Sequence, residues 1–267
     1  MRFVGLLTRP AAPDPRTREG LFRGAAADRV PALLAALALG LLAPLGTRTV
    51  EPPDPAPPPE AVAPAPAVTI TRAVLTDLPT SGPDDKRVVL TFDDGPDPAW
   101  TPKILDVLIA NHATATFCMI GEQMAEHPDV VAQVVDAGMR ICAHTLTHDE
   151  ELAAKDPATI DSEVADVGTR VPPGTPVTLF RAPGGNWRPS ILDAAVAHGM
   201  QPLGWSVDPR DWQRPGAAAI VHTVQHAVHP GAVILLHDGG GTRSQTVDAL
   251  STLLPWLAAQ GYTTAVP

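Results

Sequence analysis

The sequence has little positive charge and few aromatic residues. Lys and Arg total 19 against 29 Asp and Glu, so the chain carries a net charge of −10. The basic segment 1–29 is net +3, which leaves −13 on residues 30–267. A phosphate backbone is bound by patches of Lys and Arg. Because the body of the chain is acidic and no stretch interleaves basic with aromatic residues, we expect no nucleic-acid partner.

No glycine-rich nucleotide turn follows the first predicted strand. Residues 87–92 (RVVLTF) form an apolar, β-branched run, and DDGP follows it where a dinucleotide site would have G-x-G-x-x-G. The run GGG at 239–241 comes after a late strand and lacks the Lys-Ser/Thr pair of a phosphate-binding loop. We therefore interpret residues 239–241 as a flexible loop.

The N-terminal part of the chain differs in composition from the rest. Residues 30–46 carry no charge and follow the basic segment 1–29, which is typical of either a cleaved signal peptide or an uncleaved membrane anchor. Residues 47–83 are a predicted linker, with eight prolines between 51 and 66. We expect a monomeric extracytoplasmic domain at residues 84–267, secreted or held at the membrane by residues 30–46, and working at the cell wall.

Apolar runs and helical patterns alternate from residue 84 to the C-terminus. The predicted strands number seven, with six helices between them, and lie at 87–92, 113–120, 139–144, 177–182, 200–208, 232–237 and 262–266. Strict alternation indicates an α/β fold with a parallel sheet that is buried on both faces. Without a nucleotide turn, a closed or nearly closed barrel fits better than an open sheet.

Ionisable residues follow the predicted strands, where the carboxyl ends of barrel strands form one rim. After strands one, three, four, five and six the rim holds, in chain order, Asp93, Asp94, His144, His148, Arg181, Asp208, Asp211, His237 and Asp238. Chance placement would scatter such residues over both rims. We interpret Glu150 and Glu151, just beyond this set, as the start of a helix.

The segment HTLTH (144–148) has two imidazoles four residues apart, but Thr145 stands where H-E-x-x-H zinc proteases have their base. Asp94 with His144 and His148 forms a set of two histidines and one carboxylate, which leaves positions on a metal open, as in catalytic zinc sites. Asp93 then remains as the base, which deprotonates a metal-activated water.

A separate acid must protonate the leaving group, and His237 is the candidate. An acidic neighbour, Asp208 or Asp211, would adjust its pKa. Arg181 would pair with Asp93 and hold it ionised. The predicted reaction is hydrolysis of an amide that leaves a free amine.

The two cysteines, Cys118 and Cys142, lie in neighbouring predicted strands along the chain. An exported protein can form a disulfide. If the two strands are also neighbours in space, the sulfurs meet; the alternative is two separate buried thiols.

Five segments resemble the ordered motifs of the polysaccharide deacetylases, the NodB-homology enzymes of carbohydrate esterase family 4. They are TFDDGP (91–96), HTLTH (144–148), RAPGG (181–185), DPRDW (208–212) and LLH (235–237). The resemblance covers residues 84–267 and implies an irregular (β/α)7 barrel with one divalent metal, zinc or else cobalt or another divalent ion. It implies removal of N-acetyl groups from N-acetylglucosamine glycans, such as peptidoglycan or chitin oligosaccharides. The alternatives are O-deacetylation of xylan, an inactive glycan-binding barrel, and hydrolysis of a small amide.

The resemblance implies the same base, metal ligands and acid as the residues themselves. It adds that Arg181 orients Asp93 and that Asp211, beside the tryptophan of its motif, is the partner of His237.

The resemblance also implies a substrate site. Trp212 lines the acetyl pocket, and Leu235 belongs to the last motif with the acid. The backbone N–H that follows Pro183, that of Gly184, faces the oxyanion together with the metal.

Three positions depart from the family pattern. Gly184 replaces an aromatic residue, so one wall of the sugar site is missing, although the backbone donor is kept. Ala143 replaces an Asn before the first metal histidine, and Asp149 replaces a Pro after the second. Asp149 could accept a hydrogen bond from His148. None of these changes removes a predicted catalytic atom, but they leave the substrate open.

Overall fold

A computed structural model describes residues 69–267, which form a curled parallel sheet with helices packed outside it. The strands are β1 Arg87–Asp93, β2 Thr116–Met119, β3 Arg140–Ala143, β4 Leu179–Phe180, β5 Gln201–Pro202, β6 Val233–His237 and β7 Thr263–Thr264. Their order is β5-β4-β3-β2-β1-β6, and β7 pairs with the start of β1.

The sheet curls toward closure through the segment that follows β5. Val207 bridges Ile234 of β6, and its carbonyl accepts a hydrogen bond from the amide of Leu235. The chain thus passes from β5, which pairs with β4, to a position beside β6, and so brings the two edges of the sheet together. The predicted irregular (β/α)7 barrel is confirmed.

Seven α-helices cover the described part of the sheet, against six predicted. They are α1 Thr101–Ala110, α2 Gly121–Glu126, α3 Pro128–Asp136, α4 Pro157–Ala165, α5 Pro189–Ala197, α6 Ala217–Ala227 and α7 Ser244–Ala259. The prediction missed α2, which at six residues is too short to show a period. Its first amide, on Gly121, donates to the carbonyl of Thr145, so a distant loop holds this helix in place.

The two faces of β1 explain how the strand presents its last residue. Val88, Leu90 and Phe92 pack beneath the helices, whereas Val89 belongs to a smaller cluster inside the barrel. Side chains alternate along a strand, so Asp93 falls on the interior face with Val89. The strand therefore delivers a carboxylate to the inner rim.

A disulfide joins Cys118 of β2 to Cys142 of β3. The two residues are register partners in adjacent strands, with Cα atoms 4.2 Å apart. Of the two predicted alternatives, the structure has the bonded pair. Both side chains are fully buried inside the barrel, where they pack below the rim.

The predicted boundary between linker and domain, at residue 84, is too late in the chain. Leu75 bridges Leu203, Asp77 bridges Ala232, and the side chain of Leu78 is buried in the interior cluster. Leu75 and Leu78 pack in or against the interior cluster, so this segment belongs to the domain.

The predicted basic segment 1–29, the signal or anchor 30–46 and most of the linker lie outside the described residues. Among residues 69–267, no helix is both long and apolar enough to cross a membrane.

Candidate active site

Asp93, at the end of β1, is held by a fully buried arginine. Nη1 of Arg181 donates to Oδ1 of Asp93 at 2.7 Å and to the hydroxyl of Thr91 at 2.9 Å. Nε and Nη2 donate to the carbonyls of Leu203 and Gly204. The guanidinium is fixed on three sides, so Asp93 has a permanent cation beside it and one oxygen left for other work.

Asp94, His144 and His148 converge next to this pair. One ligand atom from each residue lies within 4.8 Å of the others. Nε2 of His148 is 3.2 Å and Nε2 of His144 is 3.6 Å from Oδ1 of Asp94. The backbone of Asp94 and His148 lies in the left-handed region, at φ 72° and 61°. Such strain persists where surrounding contacts enforce it, and it clusters at functional sites.

The hydrogen bonding of His144 prepares it for a metal. Its Nδ1 lies 2.8 Å from the carbonyl oxygen of Arg181, which can only accept, so Nδ1 carries the proton. In the neutral imidazole, Nε2 is then the nitrogen with the free lone pair, and it faces Asp94. Two imidazoles and one carboxylate with such an outer partner fit a divalent ion of the zinc type.

The charges in this cluster reinforce one another. Burial raises the pKa of Asp94, but hydrogen bonds from His144 and His148 outweigh it and hold this pKa well below the usual range. The hydrogen bond with Asp94 raises the pKa of His148 against the opposing effect of burial. Without an ion, the aspartate therefore attracts a proton to His148, so a metal and a proton compete for that nitrogen.

The HTLTH loop is anchored by a residue that the sequence did not indicate. The carboxylate of Glu163, on α4, accepts from the amide and the hydroxyl of Thr147, both at 2.9 Å. Within the loop, the amide of His148 donates to the hydroxyl of Thr145. No motif connects Glu163 with the histidines, because the contact depends on how α4 packs.

His237, at the end of β6, faces a buried carboxylate. Its Nδ1 donates to Oδ1 of Asp211 at 2.7 Å, and its amide donates to Oδ2 at 3.0 Å. The hydroxyl of Thr246, on α7, also donates to Oδ2. Burial lowers the pKa of His237, but the hydrogen bond and charge of Asp211 outweigh it, so this pKa is raised.

A cavity of about 380 Å³ lies between the end of β1, with Asp93, and the end of β6, with His237. Asp93, Asp94, His144, His148 and His237 all line it. Arg181 and Asp211 do not line it, since they lie behind the side chains that they hold. The cavity thus exposes a carboxylate, three groups that could hold a metal ion and a protonatable imidazole to one bound molecule.

Comparison with known proteins agrees with this geometry. The polysaccharide deacetylase family model matches residues 80–203. A chitooligosaccharide deacetylase from Rhizobium leguminosarum bv. trifolii is 37% identical over 206 residues, covering 72% of this chain and 95% of that protein. A peptidoglycan-N-acetylglucosamine deacetylase from Bacillus cereus is 40% identical over 187 residues, covering 67% and 85%.

The chain belongs to the polysaccharide deacetylase family.

A solved structure shares this fold without being called an enzyme. A carbohydrate esterase family 4 pseudoenzyme from Bacillus anthracis matches with a TM-score of 0.66 and 27% identity, covering 74% of this chain and 70% of that one. Membership of this deacetylase family therefore does not by itself establish catalysis. Whether a barrel of this family is catalytic depends on the residues that line its cavity.

Three of the four predicted substrate-binding residues line the cavity, and one does not. Gly184, Leu235 and Trp212 line the cavity, and Trp212 is half exposed at its mouth. Pro183 does not line it; this residue is buried in the short turn Pro183–Gly185 and lies at a smaller neighbouring cavity. The turn itself carries Gly184 to the cavity, so Pro183 acts through the backbone.

Besides Gly185 and Gly240, four further residues outside the predicted catalytic, metal and substrate set line the cavity. They are Glu150, Trp205, Asp208 and Arg243. Glu150 was predicted to start a helix, but only the short 3-10 turn Leu152–Ala154 follows it. Helix α4 begins at Pro157, because Asp156 caps it.

The glycine run 239–241 was interpreted as a flexible loop, and the structure corrects this. A side chain at Gly239 would overlap the carbonyl oxygen of Asp94. One at Gly240, where φ is 70°, would begin 2.8 Å from Oδ2 of Asp94. The two glycines therefore let the β6–α7 loop pack against Asp94, a candidate metal ligand.

Asp149 and Asp238 complete the account of the acidic residues. Asp149 accepts from Lys155 at 3.1 Å, so its predicted role as an acceptor for His148 is wrong. Asp238 is wholly buried and accepts from the hydroxyl of Thr101. Burial raises the pKa of Asp238 to about 7, and the nearby aspartates add to this effect.

Proposed function

We propose that the chain is a metal-dependent deacetylase that removes N-acetyl groups from N-acetylglucosamine-containing glycans. One observation carries the proposal: a base, a set of metal ligands and a protonatable imidazole line the same cavity. A barrel that only binds glycans needs none of these groups. Relatives named chitooligosaccharide and peptidoglycan-N-acetylglucosamine deacetylases support the class of substrate.

Asp94, His144 and His148 would hold the metal, and we propose zinc. Two neutral imidazoles and one carboxylate are ligands that zinc accepts, with positions left open for water and substrate. A bound ion would polarise the acyl oxygen and lower the pKa of a water molecule. The chain's own residues move the protons.

Asp93 is the base in this mechanism. Arg181 occupies its Oδ1, which leaves Oδ2, 3.7 Å from Nε2 of His144, to accept the proton of the attacking water. The guanidinium places a fixed positive charge beside Asp93. The hydrogen bonds of Arg181 to the carbonyls of Leu203 and Gly204 hold the guanidinium in place, so it stays beside the carboxylate.

His237 is the acid. Asp211 fixes Nδ1 as a donor, so the proton for the leaving nitrogen is on Nε2. The raised pKa of His237 favours the protonated imidazole, the form that can act as an acid. Leu235 and Trp212 lie beside it and provide apolar surface for the acetyl methyl group.

Acetate release tests this proposal. Purified protein with zinc is incubated with N-acetylglucosamine oligomers, peptidoglycan glycan and acetylated xylan, and products are sequenced by mass spectrometry. We expect acetate from the first two, loss of release with a chelator, and recovery on adding zinc. Release from xylan alone would show an O-deacetylase. No release from any of the three, with metal bound, would show an inactive barrel.

We also propose that the domain works outside the cytoplasm, secreted or tethered through residues 30–46. The basic and uncharged N-terminal segments and the Cys118–Cys142 disulfide support export, since such bonds persist in oxidising compartments. Fractionation of cells that produce the full chain tests this. We expect the protein in the medium or the membrane fraction; a wholly cytoplasmic protein with free thiols would contradict it.

A further inference from the structure

A carboxylate occupies the position that the missing aromatic wall leaves open. The first carbon of a side chain at Gly184 would lie 3.1 Å from Cδ and 3.3 Å from Oε2 of Glu150. The amide of Asn186 donates to the backbone carbonyl of Glu150 at 3.0 Å, which fixes this residue beside the turn. Gly184 and Glu150 together therefore replace an apolar wall with an anionic one.

Glu150 also joins the cavity to a second groove. It lines the cavity of about 380 Å³ and a neighbouring groove of about 570 Å³, which continues past Glu151, Asn186 and Arg188. A glycan whose reacting sugar sits over the metal ligands has an adjoining sugar at the border of these two spaces. That adjoining sugar meets Glu150 first.

The charge at this border is negative. Within residues 69–267, no Lys or Arg lies within salt-bridge distance of Glu150. Asp208 lines the same cavity. Arg188 lines the second groove but not the cavity. Arg243 is buried and donates to the carbonyl of Gly239. All hexosamines carry similar hydroxyl groups, so hydrogen bonds to hydroxyls would not separate one from another. A carboxylate at this position would distinguish adjoining sugars by their charge.

We propose that Glu150 selects the sugar that adjoins the reacting residue, favouring an ammonium group over an acetamide and disfavouring a carboxylate. This inference rests on the proposed deacetylase function. It makes chitin-type chains better substrates than chains whose neighbours carry a carboxylate. It also makes a partly deacetylated chitin oligomer a better substrate than a fully acetylated one, so that one product favours the next reaction.

The experiment compares kcat/KM for acetate release from defined oligomers at low salt. The substrates are the N-acetylglucosamine tetramer, the two tetramers with one glucosamine on either side of an acetylated residue, and an oligomer with carboxylate-bearing N-acetylmuramic neighbours. We expect one glucosamine isomer to exceed the acetylated tetramer about threefold to fivefold, as for an exposed ion pair. The carboxylate oligomer should fall below it.

Glu150→Gln keeps the shape of the side chain and removes its charge. We expect this variant to bring the substrate ratios close to one, with the change in KM and not in kcat, since the contact is with a non-reacting sugar. Glu151→Gln is the matched control, because it makes the same charge change one residue away and lines only the second groove. Its ratios should equal those of the unchanged protein. Zinc content and melting temperature establish that both variants are folded.

Equal ratios in the unchanged protein, or unaltered ratios in Glu150→Gln, would overturn this inference while leaving the deacetylase function intact. Equal losses in Glu150→Gln and Glu151→Gln would also overturn it, because they would show a general effect of charge. Absence of acetate release from every oligomer would instead remove the proposed function.

Discussion

The two flanks of the cavity use ion pairs of opposite arrangement. On the β1 flank a buried arginine holds an aspartate that faces the cavity, Arg181 behind Asp93. On the β6 flank a buried aspartate holds a histidine that faces the cavity, Asp211 behind His237. In each pair the inner residue has further hydrogen bonds and the outer one has an atom left for substrate.

This difference shows how similar construction assigns opposite roles. On the β1 flank the inner cation leaves one carboxylate oxygen facing the cavity to accept a proton. On the β6 flank the inner anion favours the protonated imidazole, which donates one. The metal-ligating cluster lies between the two. A substitution on one flank therefore leaves the other as a reference.

The largest effect is expected from Asp93→Asn. The amide oxygen can still accept from Arg181, so the fold is kept, but it cannot take up a proton. Activity should fall by about 100-fold to 10,000-fold, the usual contribution of a general base, while zinc stays bound. Kinetics of acetate release with metal analysis of the same sample measures both.

His148→Ala provides the contrast for Asp93→Asn. It removes a ligand, so we expect loss of zinc together with activity. If Asp93→Asn lost its metal as readily, the division between base and ligands would be incorrect.

The second effect is expected from Asp211→Asn on the other flank. His237 works as an acid below its pKa, so turnover falls as pH rises through that value, which Asp211 raises. Without the anion the pKa drops, and the fall should begin at lower pH. We expect about a 100-fold loss near neutral pH. A pH–rate profile with the alkaline limb unmoved would contradict His237 as the acid.

The third effect is expected where the two flanks touch. Gly239→Ala would push its new carbon against the backbone of Asp94 and displace a metal-ligating residue. We expect zinc affinity to fall at least about 10-fold, as when outer partners of a ligand are changed. Chelator competition measures it. Gly168→Ala, which has open space around it, should leave affinity unchanged.

Local sequence patterns were enough to predict the features that depend on residues close together in the chain. The strand RVVLTF has an apolar core and ends at two aspartates, so both the barrel and the carboxylate rim follow from it. HTLTH contains both imidazoles within five residues. The disulfide was left open, because spacing in the chain does not establish which strands pair.

Contacts between residues that are far apart in the chain could not be predicted from local sequence patterns. Glu163 and Thr246 reach the site from helices whose placement depends on the whole core. The sequence does not indicate that Gly239 is packed, because its contact is with the backbone of Asp94, 145 positions earlier in the chain. Helix α2 is too short for periodicity, and a loop that follows β3 holds it.

The smallest effect is expected from Glu163→Gln, which weakens one support of the metal-binding loop. The amide still accepts from the Thr147 backbone but loses the charge that strengthens both hydrogen bonds. We expect zinc affinity to fall about fivefold, the equivalent of roughly 1 kcal/mol. Thr246→Val is the control, since it removes a hydrogen bond to a buried carboxylate on the acid flank. Its zinc affinity should not change; an equal loss in both variants would mean that the two flanks are not independent.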